Sequence, residues 1–267
     1  MWKIIYKDKK QLENLRISWK YLTELLYLLY KKVQPWVSWI ELENIAEEYI
    51  KKHNLKWSFK GYMWFPTNLC FSVNECVVHW KPSNYRLKKW DLVKIDAGIT
   101  YNRAISDSAF SKIVWWREYN EAWYQLIKST KQALEAGIWT LKIWASFYNL
   151  WKTIFNTMKK NWFSVIRDLT WHGVWVKVHE APYIYNYPNR ELKQTILKDG
   201  MAFAIEPITT ERSSNFVEKT PGWWDLLCEK WDLWAQWEYT LAVIDNKLEI
   251  ISWIQEDLFD KEERCWK

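Results

Sequence analysis

The feature that most restricts this chain is a shortage of glycine: its 267 residues include 6 Gly and 24 Trp. Glycine lets backbone enter left-handed conformations and lets two segments approach closely, and average usage would supply roughly 19 of them. Tryptophan stands where turn and cap chemistry asks for glycine. Trp36 follows proline in QPWVS, Trp162 closes a basic helix end in KKNWF, and Trp90 and Trp231 precede aspartate in LKKWDLV and EKWDLW. In WHGVWVKVHEAPYIYNYPN, Trp171 and Trp175 flank a His-Gly pair in what looks like a metal or substrate loop. A truly Trp-rich protein must put large aromatics into turns. The reading that removes the conflict is that most of these positions are glycine in the native polypeptide, specified by UGA codons that mean Gly.

The bulk numbers narrow the class. The length suits one large domain or two small ones, either able to bury a sizeable core. The N-terminal stretch MWKIIYKDKKQLENLRISWK is charged and has no signal-peptide apolar region, and no apolar run approaches the ~20 residues of a membrane span. The expectation is a cytoplasmic protein with no membrane contact. Cys70, Cys76, Cys228 and Cys265 show no C-x-x-C spacing, so free thiols are expected rather than a zinc ribbon or a disulfide framework. A net charge of +6, spread along the chain, suits loose association with an acidic surface such as a ribosome, although a Lys-rich proteome and a plain solvated surface explain it better.

Apolar periodicity predicts helices over Lys10 to Lys32 and Glu41 to His53, then strands over Asp91 to Tyr101 and Arg103 to Val114. A similar order recurs: helices over Glu118 to Glu135 and Ala145 to Lys160, then strands around Phe163 to Ile166, Met201 to Ile205 and Gln236 to Ile244. The second helix of each half closes alike, in Lys-Lys-His-Asn at 51–54 and Lys-Lys-Asn at 159–161. This points to an internal pseudo-repeat, with halves of about 10–116 and 117–254 packed into one domain spanning 1–267.

The sharpest local signal is KIDAGITYNRAISDSAF, 94–110. With Tyr101-Asn102 as a two-residue turn, Asp96 stands directly opposite Asp107 on one face of a hairpin. Like charges across a ladder repel, so a compensating cation is called for, and a divalent metal is the natural one; a bulge or shifted turn would instead send one Asp to solvent. Glu206 in MAFAIEP ends an apolar strand and Glu238 in AQWEYTLAVI lies within another, and neither position suits an unpaired carboxylate. Two Asp, two Glu and a nearby His form a mostly oxygen, binuclear-type set fit for Mn, Fe, Co or Zn. Two adjacent metals activate a water and polarise a carbonyl, the machinery of peptide hydrolysis. Of four histidines, His53 sits among lysines at a helix end and is expected to be structural, while His79, His172 and His179 accompany the acids.

These segments, SVNECVVHW, KIDAGITYNRAISDSAF, WHGVWVKVHEAP, MAFAIEP and WAQWEYT in this order, resemble the type I methionine aminopeptidases from roughly Gln11 to Trp253. In that family the corresponding motifs read H-G, G-H-G-V-G and S/G-A-Q-F/W-E-H-T, so Trp80, Trp171 and Trp175 stand where glycine belongs. The resemblance implies an α+β pita-bread fold, two pseudo-symmetric halves around a central metal site. It implies that Asp96, Asp107, His172, Glu206 and Glu238 hold two divalent ions, with Asp107 and Glu238 bridging. It implies further that Glu206 shuttles a proton and that His79 and His179 contact the peptide and stabilise the tetrahedral intermediate. Tyr62, Phe65 and Cys70 match the methionine side-chain pocket, with Trp223 or Trp224 a genuine tryptophan near it; an unbranched thioether suits such an apolar, aromatic lining. The activity implied is removal of the initiator methionine from nascent polypeptides by a monomer with no nucleic-acid partner. Tyr239 departs from the family's histidine after the last ligand. Two other functions fit the same motifs: a proline-specific aminopeptidase or dipeptidase, which usually carries an extra N-terminal domain, and a non-catalytic binding protein, which typically loses ligands. If Trp171 and Trp175 are real, they are expected to crowd the cavity or displace the loop that holds His172.

Overall fold

The computed structural model describes residues 3–80, 83–115, 121–167, 169–187, 189–218, 226–230 and 232–252. Trp223, Trp224, Trp231, Cys265 and the predicted helix start at 118–120 lie outside them.

Helix α1 (Lys9–Lys32) begins where Asp8 and Gln11 cap each other's backbone N–H groups and ends on Lys31 and Lys32, which suit the negative end of its dipole. Its buried stripe of Leu12, Leu15, Trp19, Leu22, Leu26 and Leu29 packs on the hairpin strands Leu92–Tyr101 and Ala104–Ile113. A Ser38–Glu41 capping box starts α2 (Trp39–Lys52). Helices α3 (Glu121–Ile138) and α4 (Tyr148–Lys160) pack against each other in the second half.

The two second helices end identically. After α2, Asn54 is left-handed at φ 52, and the N–H groups of Asn54 and Leu55 donate to the Lys51 and Ile50 carbonyls at 3.1 and 3.0 Å. After α4, Trp162 is left-handed at φ 65, with Trp162 and Phe163 donating to Lys159 and Met158 at 3.1 and 3.0 Å. This hydrogen-bond pair is the Schellman closure, whose left-handed position is usually glycine. Trp36, Trp64, Trp90, Trp115 and Trp144 are also at positive φ, from 62 to 73, where a β-carbon costs roughly 1–2 kcal/mol. All six of these side chains are exposed. Among the described residues seven other indoles are buried, and the N–H groups of four of them, Trp19, Trp39, Trp151 and Trp171, have no acceptor.

The hairpin strand Leu92–Tyr101 pairs on one side with Ala104–Ile113 and on the other with Leu69–Val73 and Lys56–Trp57. A five-stranded antiparallel sheet in the second half runs in the order Lys247–Ile250, Tyr239–Ile244, Ala202–Ile205, Thr170–Gly173, Glu180–Tyr185. The halves meet where Ala104–Ile113 lies beside the chain at 236–240. There the Glu238 N–H donates to the Ala109 carbonyl at 3.1 Å, and Ser108 Oγ donates to the Glu238 carbonyl at 2.6 Å. Thr240 Oγ1 donates to the Asp107 carbonyl at 3.0 Å.

The hairpin register differs from the expected one. The turn is Asn102-Arg103, both at positive φ (45 and 70), so Asp96 faces Ala109 and Asp107 faces Gly98. Asparagine tolerates left-handed backbone, and a turn with both central residues at positive φ matches strand twist. The pairing therefore slips by two residues. Because side chains alternate with period two, an even slip keeps both carboxylates on one face.

Candidate metal centre

The fold brings the ten candidate site residues to one cavity of about 410 Å³. Asp96, Asp107, His172, Glu206 and Glu238 line it, as do His79, His179, Tyr62, Phe65 and Cys70. Asp96 and Asp107 come from the hairpin face. His172 comes from Thr170–Gly173, Glu206 follows the end of Ala202–Ile205, and Glu238 lies just before Tyr239–Ile244. Glu238 thus sits at a break between strands rather than inside one, where its carboxylate can turn into the cavity while its backbone bonds to the hairpin.

The five ligand candidates fall into two groups whose donor atoms lie within 4.8 Å of one another: Asp107, His172 and Glu238, and Asp96, Glu206 and Glu238. Glu238 belongs to both. The expected bridging role of Asp107 has weaker geometric support, since Asp107 joins only the first group. His172 Nε2 lies 3.9 Å from Asp107 Oδ2, and its Nδ1 is 3.2 Å from the Gly173 carbonyl oxygen. With Nδ1 donating there, Nε2 presents its lone pair to the acids, the usual arrangement for a ligand imidazole.

Electrostatics make this cluster untenable as bare carboxylates. Burial pushes Asp107 up to about 7, and burial with repulsion from Asp107 pushes Glu206 up to about 8. Asp96 and Glu238 are driven well above the carboxylate range by burial and by their acidic neighbours. Burial holds His172 down at about 3, so its ring is neutral near pH 7. Among the described residues, both Glu238 carboxylate oxygens and one oxygen each of Asp96 and Asp107 are buried without a hydrogen-bond donor. Orphaned acceptors of this kind carry a large desolvation cost. An oxygen-rich set with one imidazole fits divalent cations that would satisfy them.

The remaining side chains shape an organic pocket. Tyr62 begins and Phe65 follows a short helical turn, Tyr62–Trp64, entered through left-handed Gly61. The Phe65 ring meets His79 edge-on at 5.2 Å, and the Tyr62 hydroxyl is 3.3 Å from His179 Nδ1. Cys70 is a buried thiol pushed well up by burial, so it acts as an apolar lining group. Cys70, Cys76 and Cys228 are free thiols, as their spacing predicted.

Trp171 and Trp175 do not crowd this cavity. His172 and Trp171 are consecutive on a strand and point to opposite faces. His172 therefore faces the acids while Trp171 is fully buried and stacks on Trp151 of α4 at 3.9 Å. Trp175 is buried in the same core. Gly173 is required: a Cβ there would overlap the Ala181 carbonyl oxygen across the strand pair. Tyr239 is fully buried opposite Ile205. Phe59, Met63, Val78 and Ile208 also line the cavity. Their spacing carried no signal, because only the folded chain brings them together. Gln236, in the WAQWEYT segment, donates to Glu206 Oε1, a contact that its place in the sequence does not signal.

Residues 13–245 match the model of metallopeptidase family M24. The methionine aminopeptidase of Clostridium perfringens is 36% identical over 254 residues, covering 94% of this chain and 100% of that relative. A crystal structure of the methionine aminopeptidase of Thermotoga maritima superimposes with a TM-score of 0.88 at 31% identity, covering 94% of this chain and 99% of that one. A prolidase from Pyrococcus furiosus shares the fold at a TM-score of 0.69 and 19% identity, with 93% of this chain on 65% of the larger protein. Sequence and fold agree along nearly the whole length, and the chain belongs to metallopeptidase family M24.

Proposed function

We propose that this protein removes N-terminal methionine from nascent polypeptides, as a single catalytic unit with halves of about 10–116 and 117–254. The observation that carries the reading is one cavity that holds two overlapping ligand groups sharing Glu238 together with the pocket of Tyr62, Phe65 and Cys70. Asp96, Asp107, His172, Glu206 and Glu238 would hold two divalent ions of Mn, Fe, Co or Zn. When bound, such ions supply an activated water and Lewis acidity toward a peptide carbonyl.

The protein's own groups supply the rest. Tyr62, Phe65 and Cys70 enclose the thioether side chain and orient the first peptide bond. Glu206, a carboxylate when it faces a cation, would take a proton from the attacking water and pass it to the leaving amine. His79 and His179 donate hydrogen bonds to the oxygen that gains charge in the transition state. Nothing in the site favours the proline-specific alternative, and the presence of all five ligand candidates argues against a non-catalytic binding protein.

The native chain, on this reading, carries glycine at most Trp positions, Trp171 and Trp175 included. The six tryptophans at positive φ support it. Ribosome contact through the basic surface, a monomeric state and action in the cytoplasm complete the proposal; no helix among the described residues is long and apolar enough to cross a membrane.

The test is a Met-Ala-Ser peptide with the metal-stripped protein, then with added Mn or Co, following free methionine by mass spectrometry beside an Ala-Pro control. Metal-dependent release of methionine alone is expected. Cleavage of Ala-Pro instead would replace the reading, and no cleavage of either by a chain with glycine at those positions would refute it. Peptide mass spectrometry of the native protein reads residues 171 and 175 directly, and tryptophan at both would overturn the glycine assignment.

A further inference from the structure

A buried ion pair stands just outside the cavity. Lys7 Nζ lies 2.7 Å from Glu180 Oε1, with 1% of the lysine side chain and 5% of the glutamate exposed. The same ammonium donates to the Ile5 carbonyl at 2.9 Å, and the Lys7 N–H donates to the Gly200 carbonyl at 2.7 Å. The N-terminal segment is thereby tied at two points to the second half of the molecule.

Glu180 occupies a sensitive place. It directly follows His179, begins the edge strand Glu180–Tyr185, and pairs in register with Gly173, the neighbour of His172. The His172 and His179 rings meet edge-to-face at 4.3 Å. His179 itself is solvent-exposed, with its ring held by the Tyr62 hydroxyl and the edge of His172. Such a side chain takes its position from its backbone, and that backbone is fixed one residue away by Lys7.

Stability alone gives this pair no purpose. Removing two charges from water costs about as much as their attraction returns, so apolar residues of similar size would serve the fold as well or better. What a buried, hydrogen-bonded pair adds is one defined geometry.

We infer that Lys7 is a positioning residue for catalysis: through Glu180 it holds His179 at the distance from the cavity at which it reaches the substrate. This rests on the proposed role of His179. A misplacement of about 1 Å can cost on the order of 10²-fold in rate, so the effect belongs in kcat rather than in metal binding or peptide affinity.

The experiment compares Lys7→Met, His179→Ala and the combined variant in the metal-loaded full-length enzyme, measuring kcat, KM and bound metal with Met-Ala-Ser. Lys7→Met is expected to lower kcat by roughly 10–100-fold, with KM and metal content within about twofold of the parent. In the His179→Ala background the same substitution is expected to cost less than about threefold, because the group it positions is gone. A parental kcat in Lys7→Met, loss of metal from it, or an undiminished penalty in the His179→Ala background would each overturn the inference. Should Lys7→Met fail to fold with Glu180 left buried and unpaired, Lys7→Met/Glu180→Gln removes both charges. The same drop in kcat is expected there, and parental kcat would overturn the inference. His179→Ala with parental kcat would instead remove the reading of His179 on which it stands, visibly and before Lys7 is touched.

Discussion

Glu238 is the side chain that both ligand groups share, and its two oxygens lack any donor among the described residues. Glu238→Ala is therefore expected to abolish metal binding at both positions and to lower kcat/KM by roughly 10³-fold or more. Asp107→Ala should lose activity as severely. The geometry groups Asp107 with His172 and Glu238 only, so metal titration of this variant would show whether it also empties the Asp96 and Glu206 position, as a bridging role requires. His79→Ala should keep its metal and lose on the order of 10²-fold in kcat, the usual effect of deleting a donor to a developing oxyanion; loss of metal there would move His79 into the ligand set. Gly173→Ala pushes a methyl group into the Ala181 carbonyl. It should cost about 1–3 kcal/mol in urea denaturation and depress activity as well, because the displaced strand pair carries His172 and His179.

At the scale of single elements, the helix closures offer a direct reading of the tryptophan anomaly. Trp162 holds the left-handed position that Asn54 holds after α2, and 90% of its side chain is exposed, so little packing is lost when it is removed. Trp162→Gly should stabilise the chain by about 1 kcal/mol, a gain that denaturant midpoints resolve. An unchanged or lowered midpoint would show that the indole earns its place. The hairpin makes the same test independently. Arg103 sits at φ 70 in a turn that prefers Asn-Gly, and Arg103→Gly should stabilise by a similar amount while leaving metal content untouched. This hairpin also shows the reach of local reasoning. Alternation along KIDAGITYNRAISDSAF places both acids on one face, whereas the turn, set by which residues accept positive φ, falls one residue later than alternation suggests and shifts the register by two.

For the molecule as a whole, the buried acidic cluster in the cavity couples stability to pH. In the metal-free protein, Asp107 and Glu206 bind protons up to about 7 and 8, whereas carboxyls in the unfolded chain release them near 4. The folded state thus holds more protons than the unfolded one across that interval. Stability from these groups is full below pH 4 and declines as pH rises toward 8. Metal-stripped protein should melt several degrees lower at pH 8.5 than at pH 5.5. Divalent cation should remove most of that difference, since it replaces the protons as the compensating charge. A flat or rising profile for the stripped protein would contradict the clustering of these acids.

Much of this protein was legible in its letters because the signals are local. Helix stripes, capping residues, strand alternation and the order of motifs depend on near neighbours, and they point to four helices, the hairpin and the candidate residues that line one cavity, with the family resemblance supplying the roles proposed for them. Two kinds of information were out of reach. The opposite facing of His172 and Trp171 follows from strand geometry, yet that Trp171 finds room against Trp151 depends on how α4 packs across the sheet. The grouping of Glu238 with both sets of ligands, the contribution of Phe59, Met63 and Ile208 to the cavity, and the Lys7–Glu180 contact across 173 residues all come from segments distant in sequence. No pattern in a single chain encodes which distant segments meet; that follows from how the apolar faces of helices and sheets pack together once the chain is folded.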